Sequence, residues 1–292
     1  MAYIDHIRAL NRWNPENFLP LMVDSQRMGW IRHSFAEYLA AFPECFVVAS
    51  GHVSLNPKLE GFNSRSKAVA EVLEQMMESG VIGHLHGEMY PVLSDFGKPA
   101  VFQIDRAVVS QFGIRAFGQH LNGYVQGEDG LKMWIGRRAS DRRVFPDRLD
   151  QLVAGGLPYN TSLDENLLKE CREEADILPQ LASSAIPFGS ISYRCEVDRG
   201  LRDDTLFCYD LLLPKSFTPR CTDGEVGGFE LMPIEEVAEI VRDSEAFKPN
   251  CNLVIIDFLL RHGYIAPDHQ HHQILNIELN RNDPFAHLSE VH

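Results

Sequence analysis

Gly155-Gly156-Leu157-Pro158-Tyr159-Asn160-Thr161-Ser162-Leu163-Asp164-Glu165-Asn166-Leu167-Leu168-Lys169-Glu170-Cys171-Arg172-Glu173-Glu174-Ala175-Asp176-Ile177 reads as a glycine turn followed by a helix with three glutamates on one face. Ser162 and Glu165 form an S-x-x-E pair, whose side chains satisfy each other's backbone N–H groups and start a helix there. At about 100° per residue, with Glu170 at zero, Glu174 falls near +40° and Glu173 near −60°. Leu168, Cys171 and Ala175 fall at about +100 to +160°, a separate apolar face, with Leu167 at the seam near +60°. Carboxylates at i, i+3 and i+4 repel, at roughly a few tenths of a kcal/mol per pair. A hard divalent cation removes that cost and takes carboxylate oxygens well. It could also bridge to diphosphate oxygens, act as a Lewis acid and activate water. A solvated acidic face explains the same charges without an ion, and the run 169–176 alone favours that simpler reading.

Working outward, GIRAFGQHLNGYVQ (113–126) alternates like a strand, and Glu128-Asp129-Gly130 has turn chemistry. LKMWIGRR (131–138) reads as the returning strand, and a polar, arginine-rich loop leads to LDQLVAGG (149–156). Past the glutamates, SISYRCEV (190–197) and TLFCYDLLLP (205–214) read as strands. PIEEVAEIVRD (233–243) reads as a helix with Pro233 at its first position. CNLVIIDFLLRHG (251–263) reads as a final apolar helix stopped by Gly263. Residues 1–108 form a smaller α+β unit: helices at 3–10 and 35–42, a short buried strand CFVVAS (45–50), and a strand GEMYPVLS (87–94). SRSKAVAEVLEQMMESG (64–80) is its strongest helix, with Val69, Val72, Leu73 and Met76 at helical spacing and Gly80 as stop signal. The expected division is 1–108, 109–265 and a polar, mobile tail 266–292.

Of the 292 residues, 45% are hydrophobic and 23% charged, as in ordinary globular chains that bury a full core without disulfides. A formal net charge of −14 repels phosphate backbones and argues against nucleic acid as a general partner. A small phosphorylated substrate stays compatible where a cation inverts the local field. The six cysteines are widely spaced and lack a CxxC pair, a reduced, intracellular pattern. No secretory h-region and no 18-residue apolar run is present, so the expectation is a cytoplasmic protein with no membrane partner.

The central segment resembles the Nudix box, G-x5-E-x7-R-E-U-x-E-E-x-G-U with U a bulky aliphatic. Gly155, Glu170, Glu173, Glu174 and Ile177 match in place. Thr161 stands where the first Glu is expected, Lys169 replaces Arg, Asp176 replaces the late Gly, and Cys171 is a soft substitute for the aliphatic. The flanks FGIRAFGQHLNGYV, MWIGRRASDRRVFPDRLDQLVAGG, DGEVGGFELMPIEEV and FKPNCNLVIIDFLLRHG are similar to one Nudix branch. That branch pairs the Nudix domain with an N-terminal domain of uncharacterised role and is often labelled thiamine-pyrophosphokinase-related. The resemblance covers most of the chain. It implies an α/β fold, α+β overall: an α/β/α sandwich around a mixed sheet, preceded by the smaller α+β unit. It also implies hydrolysis of nucleoside-diphosphate-like or thiamine-diphosphate-like compounds, with Mg²⁺ (Mn²⁺ as substitute) held by Glu170, Glu173 and Glu174. The Gly155-Gly156 loop would shape the helix approach.

Other residues attract attention beside simpler readings. Glu225, in Asp223-Gly224-Glu225, is a further metal ligand or general base, or a surface Glu after a turn. Arg115, His120 and Asn122 line the substrate cleft, or belong to a polar strand face. Arg137, Arg138, Arg142 and Arg143 are the one basic cluster, fit to grip a distal phosphate or simply solvated. His84, His86 and Glu88 lack an evident third ligand, and His269, His271 and His272 read as adventitious. Trp13 and Trp30 could stack on a ring, with packing the default. Two readings stand: a Nudix hydrolase, or a Nudix-fold binding or regulatory module without turnover, motivated by Thr161, Lys169 and Asp176. The N-terminal unit either caps the active site or mediates a homodimer.

Overall fold

The computed structural model describes residues 2–267 and 271–280. After helix α1 (Tyr3–Ala9), strands β1 (Phe18–Val23) and β2 (Gln26–Arg32) form a hairpin around Asp24-Ser25. Both turn residues have positive φ, 49° and 66°. Such two-residue turns usually announce themselves with Asn-Gly, which this one lacks. Helix α2 (His33–Leu39) and strands β3 (Phe46–Val48) and β4 (Val53–Leu55) follow, giving a sheet of order β2-β1-β4-β3. β3 is therefore an edge strand. Phe46 is buried, but Val47 and Val48 are exposed, which corrects the expectation of a buried strand. Helix α3 (Gly61–Glu78) buries Val69, Val72, Leu73 and Met76 as the spacing predicts. The hairpin of β5 (Met89–Val92) and β6 (Phe102–Asp105), then helix α4 (Val109–Phe112), complete this half around a core holding Leu21, Ile31 and Phe112.

The second half is built on a mixed seven-stranded sheet. It comprises β7 (Arg115–Gly127), β8 (Gly130–Arg138), β9 (Leu149–Asp150), β10 (Val153–Gly156), β11 (Ile186–Val197), β12 (Gly200–Leu212) and β13 (Val226–Pro233). Its main path is β11-β12-β7-β8-β13, with β12 and β7 parallel and the other pairs antiparallel. β7 pairs with β10 over its first half and with β8 over its second. Covered on both faces there, it buries every residue from Phe117 to Gly123.

One face of the sheet packs on α5 (Leu163–Ala175) and α6 (Pro179–Ala182), through Leu121, Val153, Leu167 and Cys171. The other packs on α7 (Ile234–Asp243) and α8 (Pro249–Arg261), through Met133, Ile135, Val254 and Phe258. This is the expected α/β/α sandwich. Pro233 caps α7 from outside, and α8 starts two residues before the expected point, with Pro249 at its first position.

Two packing features depart from the division read in the sequence. α1 lies against α8 and against α9 (His272–Leu279), so its Ile7 belongs to the core of the second half. His6 bonds Val241 O at 2.7 Å and Asn252 Nδ2 at 3.2 Å. α9 itself buries Leu275 and Leu279, so the expected polar tail contains a packed amphipathic helix. His269 and residues 281–292 of that tail lie outside the described residues.

Candidate active site

The loop and helix that carry the glutamates are fixed from both ends. Ser162 Oγ accepts from Glu165 N–H, and Ser162 N–H donates to Glu165 Oε2 at 3.0 Å, the reciprocal cap the sequence predicts. Asn166 is fully buried and donates to Gly156 O at 2.9 Å and Gln119 Oε1 at 2.8 Å, tying helix to loop. Its residue type does not mark it in the sequence; its position does, since at about −40° it lies on the glutamate face one turn upstream. Gly155 is dictated by contact: a Cβ there would stand 2.3 Å from Glu170 Cδ. The helix ends at Asp176, which takes the left-handed conformation (φ 54°) that the family's glycine takes without strain. Asp tolerates this region and is further held by ion pairs to Arg172 and Arg220. Cys171 and Ile177 are fully buried, so the thiol fills the aliphatic's place.

Glu174 points inward, 7% exposed, and its Oε2 accepts from Ala154 N–H at 2.8 Å. Burial, with Asp150 and Glu170 nearby, pushes its carboxyl up to about 8. Glu170 is raised too, by burial first and then by Glu173 and Glu225, while Lys169 opposes. Glu225 precedes β13 and adds its negative field to that of the glutamate face. Its carboxylate pairs with Arg142 at 2.8 Å. Lys169 Nζ lies 3.1 Å from Glu170 Oε1 and 3.2 Å from Glu173 Oε2. Four carboxylates thus face two cations. The donors of this set are all carboxylate oxygens and negative charge is in excess, so Glu170, Glu173 and Glu174 would suit a hard divalent ion.

A second cluster lies deeper. Asp150 accepts from Arg138 Nη1 at 3.0 Å, Lys248 Nζ at 3.3 Å, Cys251 Sγ at 2.8 Å and Gln151 N–H at 3.0 Å. Among the described residues, His120, Asp150 and Cys251 are the one group of three whose metal-type donor atoms all lie within 4.8 Å of one another; the glutamates are spaced more widely. This group does not fit a dication. Two cations already share the Asp150 carboxylate, and Cys251 is a thiol that burial holds well above its ordinary pKa.

Several expected substrate contacts are placed elsewhere. His120 is buried; its Nδ1–H donates to Gln151 Oε1 at 2.6 Å, because Gln151 Nε2 is committed to Cys251 O. Asn122 is buried and donates to Asp210 Oδ1 at 3.0 Å. Neither reaches solvent, because β7 is buried throughout from Phe117 to Gly123. Arg138 donates through Nε, Nη1 and Nη2 to Asp150 and the carbonyls of Val144 and Phe145, so in this structure it is engaged in shaping the loop. Arg115 pairs with Asp203 at 3.6 Å and Asp95 at 4.0 Å, with no contact to the glutamates. Arg137 is exposed and donates to Asp147 O at 3.1 Å. Gly156 faces Tyr90 Oη, where a Cβ would stand 1.7 Å from the oxygen. Trp13 and Trp30 pack edge-to-face at 5.3 Å, and the His84 and His86 rings do likewise at 5.0 Å.

A family model described as a domain of unknown function (DUF4743) matches residues 2–116. "Nudix hydrolase 20, chloroplastic" of Arabidopsis thaliana is 40% identical over 279 residues, covering 91% of this chain and 74% of that protein. "Nudix hydrolase 24, chloroplastic" of the same plant is 44% identical over 254 residues, covering 86% and 69%. An uncharacterized protein of Saccharomyces cerevisiae is 34% identical over 266 residues, covering 85% and 77%. The chain belongs to the Nudix hydrolase family, enzymes that act on acid anhydrides. Among the described residues no helix is long and apolar enough to cross a membrane.

Proposed function

We propose that this chain hydrolyses the diphosphate linkage of a small phosphorylated molecule, of nucleoside-diphosphate or thiamine-diphosphate type. Glu170, Glu173 and Glu174 would hold the divalent cation, Mg²⁺ with Mn²⁺ as a substitute. The observation that carries this reading is the charge imbalance, with Glu170 seated on Gly155 and Glu174 buried beside it. When bound, the cation supplies charge stabilisation to phosphoryl oxygens and lowers the pKa of water. Glu225, paired with Arg142, is the candidate base. Arg137, with one donor engaged, is a candidate for the distal phosphate. The free and mostly buried cysteines agree with a reducing compartment. The cytoplasm is the simplest such compartment, although the plant relatives' names say chloroplastic of those proteins.

The test is a hydrolysis screen with Mg²⁺ or Mn²⁺ over nucleoside diphosphate derivatives and thiamine diphosphate analogues, read by phosphate release and product mass. Glu174→Gln should lower turnover roughly a hundredfold or more, with the melting temperature maintained. Near-normal turnover in that variant would sink the assignment. A second reading, a Nudix-fold binding module without turnover, draws on Lys169, whose ammonium bridges Glu170 and Glu173. Ligand binding without product across the whole panel would favour it.

A further inference from the structure

The two halves of the chain meet at the glycine loop. Tyr159 N–H donates to Met89 O at 2.7 Å, and the Phe62 and Tyr159 rings stack at 4.9 Å. Tyr90, on the same β5 strand, is buried with its hydroxyl against Gly156, one residue from the seat of Glu170. Beside Tyr90, with its Cζ 5.9 Å from the ring, stands Arg106. Its Nη1 donates to Glu88 Oε2 at 2.8 Å and its backbone N–H to Glu88 O at 2.9 Å. The Arg106 side chain is 44% exposed, and its Nε and Nη2 make no hydrogen bond among the described residues. Glu225 acts electrostatically on this guanidinium, as Glu170 does on Tyr90. Gly156, which the Tyr90 hydroxyl touches, adjoins Gly155, on which Glu170 sits, so Arg106 stands, through Tyr90, beside the same glycine loop that seats the first of the proposed metal glutamates.

We propose that Arg106, contributed by the N-terminal half, contacts a phosphate of the substrate, so that one active site is built from both halves. The proposal rests on the hydrolase reading above. Glu88 fixes one end of the guanidinium and leaves two donors for bidentate capture of a phosphoryl group. In a chain of net charge −14, such a cation beside the carboxylates also offsets repulsion of an incoming anion.

The probe is methylenediphosphonate with Mg²⁺, titrated calorimetrically into the full chain. Arg106→Ala should weaken binding by roughly tenfold to a hundredfold, at unchanged melting temperature. On the substrate found by the screen, KM should rise by a similar factor while kcat stays within a few-fold. Arg106→Lys keeps the charge but not the fork, and should weaken binding several-fold; it carries the test if the alanine variant fails to fold. Wild-type affinity in the Lys variant, or in a folded Ala variant, overturns the proposal. If Glu174→Gln loses hydrolysis meanwhile, the hydrolase reading survives that outcome. A wild-type protein that neither binds the probe nor hydrolyses any substrate overturns both.

Discussion

Two clusters of ionisable groups lie near each other on the second half of the chain, and they are organised on opposite principles. Around Asp150, every donor has an acceptor: Arg138, Lys248, the Cys251 thiol and Gln151 N–H converge on one carboxylate. Around Glu170, negative charge is in excess, and a lysine at the helix surface only partly relieves it. Buried charge that is fully paired holds a structure together, whereas buried charge left unpaired is costly unless a ligand relieves it. Three donor types within 4.8 Å would direct a search for a metal to the first cluster. The electrostatics direct it to the second.

The largest effect expected from breaking this contrast is on stability. Asp150→Asn leaves Arg138 and Lys248 facing each other without a counter-charge, and should cost about 3–5 kcal/mol. Urea denaturation measures it, and an unchanged midpoint would show that the deep cluster is not structural.

Acid should expose the same cluster next. Burial, reinforced by Lys248, pushes the His120 imidazole down to about 4. The unfolded chain takes up this proton near pH 6.5 and the folded one only near 4. The neutral histidine's contribution is therefore whole above pH 6.5 and is lost as pH falls toward 4, by about 3 kcal/mol at most. Since Glu174 shifts the opposite way, the measurement is the difference between wild type and His120→Asn across that range. A constant difference would contradict the buried, neutral assignment.

The smallest effect is steric and falls on the glutamate side. Gly155→Ala drives a methyl into Glu170, costing about 1–3 kcal/mol and lowering turnover by displacing the carboxylate. Gly228→Ala, at a strand position with nothing within 4 Å, is the control. Equal behaviour of the two would mean that Glu170 is free to move without consequence.

The carboxylate face was legible because a helix repeats every 3.6 residues whatever packs on it. The wheel put Glu174 nearest the apolar seam, and Glu174 is the glutamate the fold buries. The roles of His120 and Asn122 were illegible for the converse reason. A strand's alternation distinguishes core from solvent only where one face meets water, and β7 is covered on both. The Asp24-Ser25 turn escaped notice because its positive φ values are imposed by the hairpin and not by a glycine. Tyr90 and Arg106 come to the site through contacts between the halves, which no local period encodes.

The packing of α1 against α8 and α9 has a consequence for how the chain is made. At roughly 5–20 residues per second, α1 leaves the ribosome on the order of ten to fifty seconds before α8 does. Through that interval α1, whose Ile7 is later fully buried, lacks the α8 and α9 surfaces on which it packs. The order of synthesis thus leaves the apolar face of α1 waiting, and the core it shares with α8 and α9 can close only once both of those helices have emerged.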